Sequence, residues 1–168
     1  MRPLANVTSE RKRVRAETTQ LLKRIQGLSS APNGGIAALI RIRREASELL
    51  NQLPHESSIL DAVEWFRSKR TKPDDRISWL WNPRQTGNKQ EPDLRGLRED
   101  EIVVSAEVTT SPAARGVLAS RMKSTLEKLA GMQGHLYYFV LTEPMRQSAE
   151  RVIKHKGWPI KVIVLSPP

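Results

Sequence analysis

The sequence of 168 residues contains no cysteine, which excludes disulfide bonds and thiolate zinc sites. Long apolar runs are also missing, because the longest, 136–141, is far short of the ~20 residues that a membrane-spanning helix needs. The segment 1–6 has no apolar stretch of the kind found in secretory signals. Three scattered histidines, His55, His135 and His155, form no ligand pair. We therefore expect a cytoplasmic protein without a membrane segment.

Acidic residues are fewer than basic ones. The chain has 28 lysines and arginines against 18 aspartates and glutamates, a net charge of +10. Residues 1–53 hold ten basic and four acidic residues, so the excess is concentrated at the N-terminal end. This distribution favours a polyanionic partner, double-stranded DNA above all, over a merely basic protein.

Residues 1–53 are predicted to form a basic helical hairpin. Ser9 is a candidate N-cap for a helix to about Leu28, a turn follows at 29–35, and a second helix runs to about Leu53. Each helix carries an apolar seam at heptad spacing. The seam residues are Val14, Thr18, Leu21, Ile25 and Leu28 in the first helix, and Leu39, Ile42, Ala46, Leu49 and Leu53 in the second. Such short seams must pack on the main body or on another subunit, for example in a homodimer.

Basic residues line the outward faces of this hairpin and are candidate contacts to DNA phosphates. They are Arg11, Lys12, Arg13, Arg15, Lys23, Arg24, Arg41, Arg43 and Arg44. The alternative is a solvated helix surface with no ligand.

Residues 54–168 are predicted to form one α/β domain. Pro54 ends the hairpin, and Ser57 or Ser58 begins a helix that stops before Pro73. Three strands with short turns follow, at about 76–82, 90–96 and 101–110, then a helix at 115–132, a strand at 135–141, a helix at 145–156 and a strand at 160–165. The order α-β-β-β-α-β-α-β implies a mixed sheet flanked by helices, with an antiparallel meander first and parallel strands after it.

Two carboxylates stand out in this pattern. Glu107 falls in the middle of an apolar strand, on the face opposite Val104, Ala106 and Val108, where glutamate is uncommon. Asp93 follows Pro92 in the preceding strand, so a hairpin can bring the two acids together. Oxygen ligands of this kind suit a hard divalent cation.

Pro92-Asp93, a gap of thirteen residues and then Glu107-Val108-Thr109 on an apolar strand resemble the PD-(D/E)XK nuclease superfamily. The resemblance covers roughly residues 57–166 and includes the order of elements. It implies a restriction-endonuclease-like core in which Asp93 and Glu107 hold Mg²⁺ or Mn²⁺ for the hydrolysis of DNA phosphodiester bonds. The family's lysine is replaced here by Thr109.

A cation for this site must then come from elsewhere. Lys123 and Arg115, both in the helix after the Glu107 strand, are the candidates, and Arg115 is also a candidate phosphate contact near the helix N-terminus. In the resembling family the first core helix often offers a carboxylate to the metal, which here would be Asp61 or Glu64.

Two other interpretations remain open. The first is a nuclease-like core that has lost catalysis and serves as a nucleic-acid-binding or assembly module, as the replacement by Thr109 suggests. The second is a small α/β protein in which Glu107 has a structural role, paired with an arginine. Fold resemblance alone does not decide among them.

Overall fold

The structure, a computed structural model, describes residues 1–29, 35–69, 77–83 and 90–165. Within these ranges the chain forms four helices and a six-stranded mixed sheet. The strands are β1 (Arg2–Pro3), β2 (Ser78–Trp81), β3 (Leu94–Arg98), β4 (Glu101–Thr109), β5 (His135–Val140) and β6 (Ile160–Val164). The helices are α1 (Val7–Ser29), α2 (Ile36–Ser68), α3 (Val117–Ala130) and α4 (Glu143–Lys156). Residues 30–34 of the turn predicted at 29–35, and the predicted turn at Gly87-Asn88, lie outside the described residues.

The sheet has its strands in chain order, from β1 to β6. Strands β1 to β4 pair antiparallel, and β4, β5 and β6 pair parallel through α3 and α4. This confirms the predicted meander and the two parallel connections. Strand β1 was not predicted, because two residues carry no periodicity signal.

The β3–β4 hairpin places Asp93 beside Glu107. Its turn is the two-residue Glu99-Asp100, where both residues have positive φ, and not the longer Gly96–Asp100 turn that the sequence predicts. Gly96 lies within β3. Glycine is favoured at this position because a Cβ there would come within 2.8 Å of Ile77 and 3.1 Å of Trp79. Since Leu94 pairs with Ala106, Asp93 lies level with the C-terminal half of β4.

Each face of the sheet is covered by a pair of helices. One core cluster joins α1 and α2 to the face that presents Val104, Ala106 and Val108. The other joins α3 and α4 to the face that presents Tyr138 and Val140. Glu107 alternates with Ala106 and Val108 along β4, so it lies on the α3 side of the sheet. No helix in the described ranges is long and apolar enough to cross a membrane.

Helix α2 runs without interruption through Pro54, so the prediction that one helix ends there and another starts at Ser57 or Ser58 is wrong. Proline inside a helix costs about 3 kcal/mol, because it removes a backbone hydrogen bond. Here the residues beyond it, among them Ile59, Leu60 and Val63, are fully buried, and this burial offsets the cost. The boundary drawn between residues 53 and 54 therefore falls inside a helix.

The helical hairpin is present, with corrections in detail. Helix α1 begins at Val7, and Asn6 accepts a hydrogen bond from the Ser9 backbone, so Ser9 is not the N-cap. In α2 the seam uses Ala38, which is buried, and not Leu39, which is 66% exposed. Several apolar side chains of the hairpin are exposed: Leu22, Ile36, Leu39, Ile40 and Leu50. The homodimer stays a prediction.

Two adjacent leucines, one in the buried seam and one exposed, allow a test of how the hairpin packs. Leu21 is 5% exposed and Leu22 is 60% exposed. We expect Leu21→Glu to lower the free energy of unfolding by about 2 to 5 kcal/mol, since it buries an unpaired charge. Leu22→Glu, the matched control, should change it by less than about 0.5 kcal/mol. Urea denaturation measures both, and equal effects would contradict the packing described.

Candidate active site

Asp93 and Glu107, the two predicted metal ligands, lie next to each other and are both buried. Each is 2% exposed. The Asp93 Oδ2 atom accepts a hydrogen bond of 2.8 Å from the backbone N–H of Val108, which fixes its carboxyl group against β4. Asp93 acts on Glu107 both through its charge and through a hydrogen bond between the two side chains. The sequence pattern thus located two interacting acids correctly.

The environment of Glu107 strongly favours its protonated form. Burial is the largest cause, the Asp93 charge adds to it, and the Lys128 ammonium group opposes both. The result is that the pKa of Glu107 is raised from 4.5 to about 8. At neutral pH the pair of acids therefore retains a proton that a cation bound there would displace.

His55 is a member of this cluster that sequence reasoning missed. It follows Pro54 in α2, and its Nε2 atom lies 3.2 Å from Asp93 Oδ2 and 3.2 Å from the Val108 carbonyl oxygen. Both neighbours are acceptors, so Nε2 carries the proton. Burial acts to lower the pKa of His55, but the hydrogen bond and charge of Asp93 outweigh it and raise the pKa.

Lys128 supplies the cation beside Glu107. Its Nζ atom lies 2.5 Å from Glu107 Oε1, an ion pair and not a well-aligned hydrogen bond, and donates to the Glu91 carbonyl oxygen at 3.2 Å. The sequence predicted Lys123 for this role. Lys123 instead lines a separate cleft with Glu127, on the other side of α3, and does not line the cleft at Glu107.

A helical pattern in the sequence could have identified the correct lysine. Arg121, Thr125 and Lys128 follow one another at spacings of four and three, the same spacing as the buried Met122, Leu126 and Leu129. This polar row borders the buried stripe along one edge, whereas Lys123 lies beyond the other edge. Arg115, the other candidate, is exposed in the loop before α3.

An open cleft of about 450 Å³ leads to Glu107. Thr109, the residue at the position of the family's lysine, lines it and hydrogen-bonds with the Tyr138 hydroxyl. Burial raises the pKa of Tyr138 to about 12, so this hydroxyl stays protonated. Arg121 and Thr125 also line the cleft, which gives it one charged and several uncharged donors toward an entering anion.

The predicted phosphate contacts divide into two groups. Arg11 binds Asp61 and Glu64, each at 2.8 Å, and Arg13 binds Glu10, Glu17 and the fully buried Glu56. These two arginines form ion pairs that hold α1 on α2, whereas the sequence predicted phosphate contacts for them; that role stays a prediction. Asp61 and Glu64 likewise face Arg11 and not the carboxylate pair. The other predicted contacts are exposed: Lys12, Arg15, Lys23, Arg24, Arg41, Arg43, Arg44 and Arg115.

In the described part of the chain, no three His, Cys, Asp or Glu side chains are arranged to hold a metal ion by themselves. No family model, curated protein or solved structure that was compared with this chain matches it. Function must therefore be argued from the geometry of the site.

Proposed function

We propose that this protein is a nuclease that hydrolyses phosphodiester bonds in DNA with the help of a divalent metal ion, on a core of the PD-(D/E)XK type. The observation that carries the proposal is the convergence of two buried carboxylates, Asp93 and Glu107, with the ammonium group of Lys128. The order of strands and helices around them agrees with the resemblance.

The donor set fits Mg²⁺ or Mn²⁺. Asp93 and Glu107 offer carboxylate oxygens, and Mg²⁺ typically takes one or two carboxylates and completes its shell with water and substrate phosphate oxygens. Two acids beside an open cleft therefore suit a catalytic ion, which must keep coordination positions free for water and substrate. A complete cage of protein ligands would not leave such positions free. When bound, the ion would polarise the scissile phosphate and lower the pKa of an attacking water.

The protein side chains have separate tasks in this proposal. Asp93 is held in place by the Val108 backbone and His55, which both bind Oδ2 and thereby fix the direction of its other carboxylate oxygen. Lys128 places a positive charge beside Glu107, where the family's lysine would otherwise lie. Arg121, in the same cleft, is positioned to bind a phosphate of the DNA backbone.

Cleavage of plasmid and branched DNA in magnesium and in manganese tests the proposal. We expect Glu107→Gln to abolish cleavage and also the rise in melting temperature that metal gives the wild type. Glu101→Gln, at the exposed start of the same strand, is the matched control and should keep both. Equal cleavage by wild type and Glu107→Gln would refute the proposal.

The second candidate is a DNA-binding module on the same core that has lost catalysis. The observation that favours it is Thr109, which brings no charge to the position of the family's lysine. In this case metal would stabilise the wild type without cleavage of any substrate. The logarithm of the affinity for duplex DNA would fall linearly with the logarithm of the salt concentration, with a slope of about −0.9 per phosphate neutralised.

A further inference from the structure

A second cleft, of about 620 Å³, lies between α3 and α4. Its walls include Lys123 and Glu127 from α3, and Arg151, Val152 and Lys156 from α4. In the described residues it shares no lining residue with the cleft at Glu107. Its size lies within the usual range for small-molecule sites, about 300 to 1,000 Å³.

Trp158 also lines this cleft, and its backbone is held in place by the end of α4. Gly157 ends α4 in a left-handed conformation with φ 68°, and the Trp158 N–H donates to the Ile153 carbonyl oxygen at 3.2 Å. Pro159 follows and restricts Trp158 to an extended conformation. The backbone of Trp158 is therefore fixed between a helix cap and the start of β6, and its half-buried side chain packs against the core cluster under α3 and α4. A side chain that is already ordered costs less entropy when a ligand stacks on it.

Charge in the cleft complements a phosphate group. Lys123, Arg151 and Lys156 contribute three positive charges against the single negative charge of Glu127. Val152 adds an apolar surface next to the indole. A ligand that satisfies both features has a planar aromatic ring and an anionic group close to each other.

We propose that this cleft binds one nucleotide unit, with its base stacked on Trp158 and its phosphate held by Arg151 and Lys156. A free nucleotide and an unpaired strand of nucleic acid offer the same chemistry. The inference does not depend on the carboxylate pair, since the two clefts are separate.

The test is a titration of the protein with dAMP in the presence of EDTA. Tryptophan fluorescence and calorimetry measure the binding. Base stacking is worth about 1 to 3 kcal/mol, so Trp158→Leu should weaken dAMP binding by about fivefold to 150-fold. The double variant Arg151→Gln, Lys156→Gln should weaken it by at least about tenfold. Adenosine and inorganic phosphate, each with only half of the chemistry, should bind more weakly than dAMP.

Two controls separate this site from the proposed active site. Lys154→Gln removes a charge from an exposed position of α4 that does not line the cleft, and should bind dAMP as wild type does. Glu107→Gln should also bind dAMP normally, whether or not the nuclease proposal is correct. Wild-type affinity in both the Trp158 and the Arg151–Lys156 variants would overturn the inference.

The source of the nucleotide is decided by two longer probes. A single-stranded oligonucleotide of six adenines that binds more tightly than dAMP, with the same loss in Trp158→Leu, would assign the cleft to an unpaired strand. Affinity for the oligonucleotide no higher than for dAMP would assign it to a free nucleotide. Preference for a closed circular duplex over both would overturn the proposal, because bases inside a continuous duplex are stacked on one another and cannot stack on the indole.

Discussion

In the absence of metal, Glu107→Gln should make the protein more stable than wild type at pH 9, by up to about 5 kcal/mol. The pKa of Glu107 is raised from 4.5 to about 8, mainly by burial and then by the Asp93 charge. Ionising this side chain in the folded protein is therefore costly, whereas in the unfolded chain it is not. Glutamine has nearly the same shape as protonated glutamate and avoids the cost.

The sign of the pH dependence follows from this raised pKa. Between pH 4.5 and 8 the folded protein keeps a proton on Glu107 that the unfolded chain has released, so the stability of wild type falls as pH rises through this window. At pH 4 the two proteins should have similar stability. The His55 pKa is raised in both proteins, so its contribution largely cancels in the difference.

Urea denaturation of both proteins in EDTA, from pH 4 to pH 9, measures the predicted divergence. Glu101→Gln should show no such divergence, because Glu101 is exposed. A constant difference between wild type and Glu107→Gln across the range would show that Glu107 does not retain its proton. Added Mg²⁺ should narrow the gap at high pH, since it stabilises only the wild type.

Lys128→Met should reduce cleavage by about 10² to 10³-fold, the usual effect of removing one preorganised electrostatic group from an active site. Lys128 is the cation in contact with Glu107, at 2.5 Å, and its charge lowers the pKa of that carboxyl group. Without it, Glu107 should hold its proton more strongly and bind metal less well. Lys154→Met is the matched control, at an exposed position of α4.

A rescue experiment separates charge from packing. Thr109 lies on the same face of β4 as Glu107, so Thr109→Lys in the Lys128→Met protein restores an ammonium group to the site and should recover part of the activity. Recovery would show that the lost function is the charge. Full activity in Lys128→Met together with a large loss in Lys123→Met would instead favour the lysine chosen from the sequence.

Much of the sheet and the two acids could be predicted because their signals are local. Alternation along β4 placed Glu107 on the face opposite Val104 and Ala106, as the structure has it. The strand predicted at 135–141 and the helix predicted at 145–156 correspond to β5 and α4. These features depend on residues within one element and its nearest neighbours.

The errors come from interactions between distant segments. Pro54 ends a helix in most contexts, yet here burial of the residues that follow keeps α2 continuous. The ion pairs of Arg11 and Arg13 were not predicted, and the two residues were assigned to DNA phosphates, because their partners Asp61 and Glu56 lie 50 and 43 residues away in the sequence. His55 reaches the acids through the packing of α2 on the sheet, which no pattern within that helix specifies.

The continuity of α2 through Pro54 means that the helical hairpin and the α/β domain cannot be separated by truncation. Removing residues 1–53 would cut a helix in its middle, two residues before His55, and would leave the buried Glu56 without Arg13. Such a shortened chain should fail to fold for reasons unrelated to DNA. For the same reason the helical hairpin cannot be moved to another protein as a unit that ends at residue 53. A chimera would need its junction after Ser68, where α2 ends.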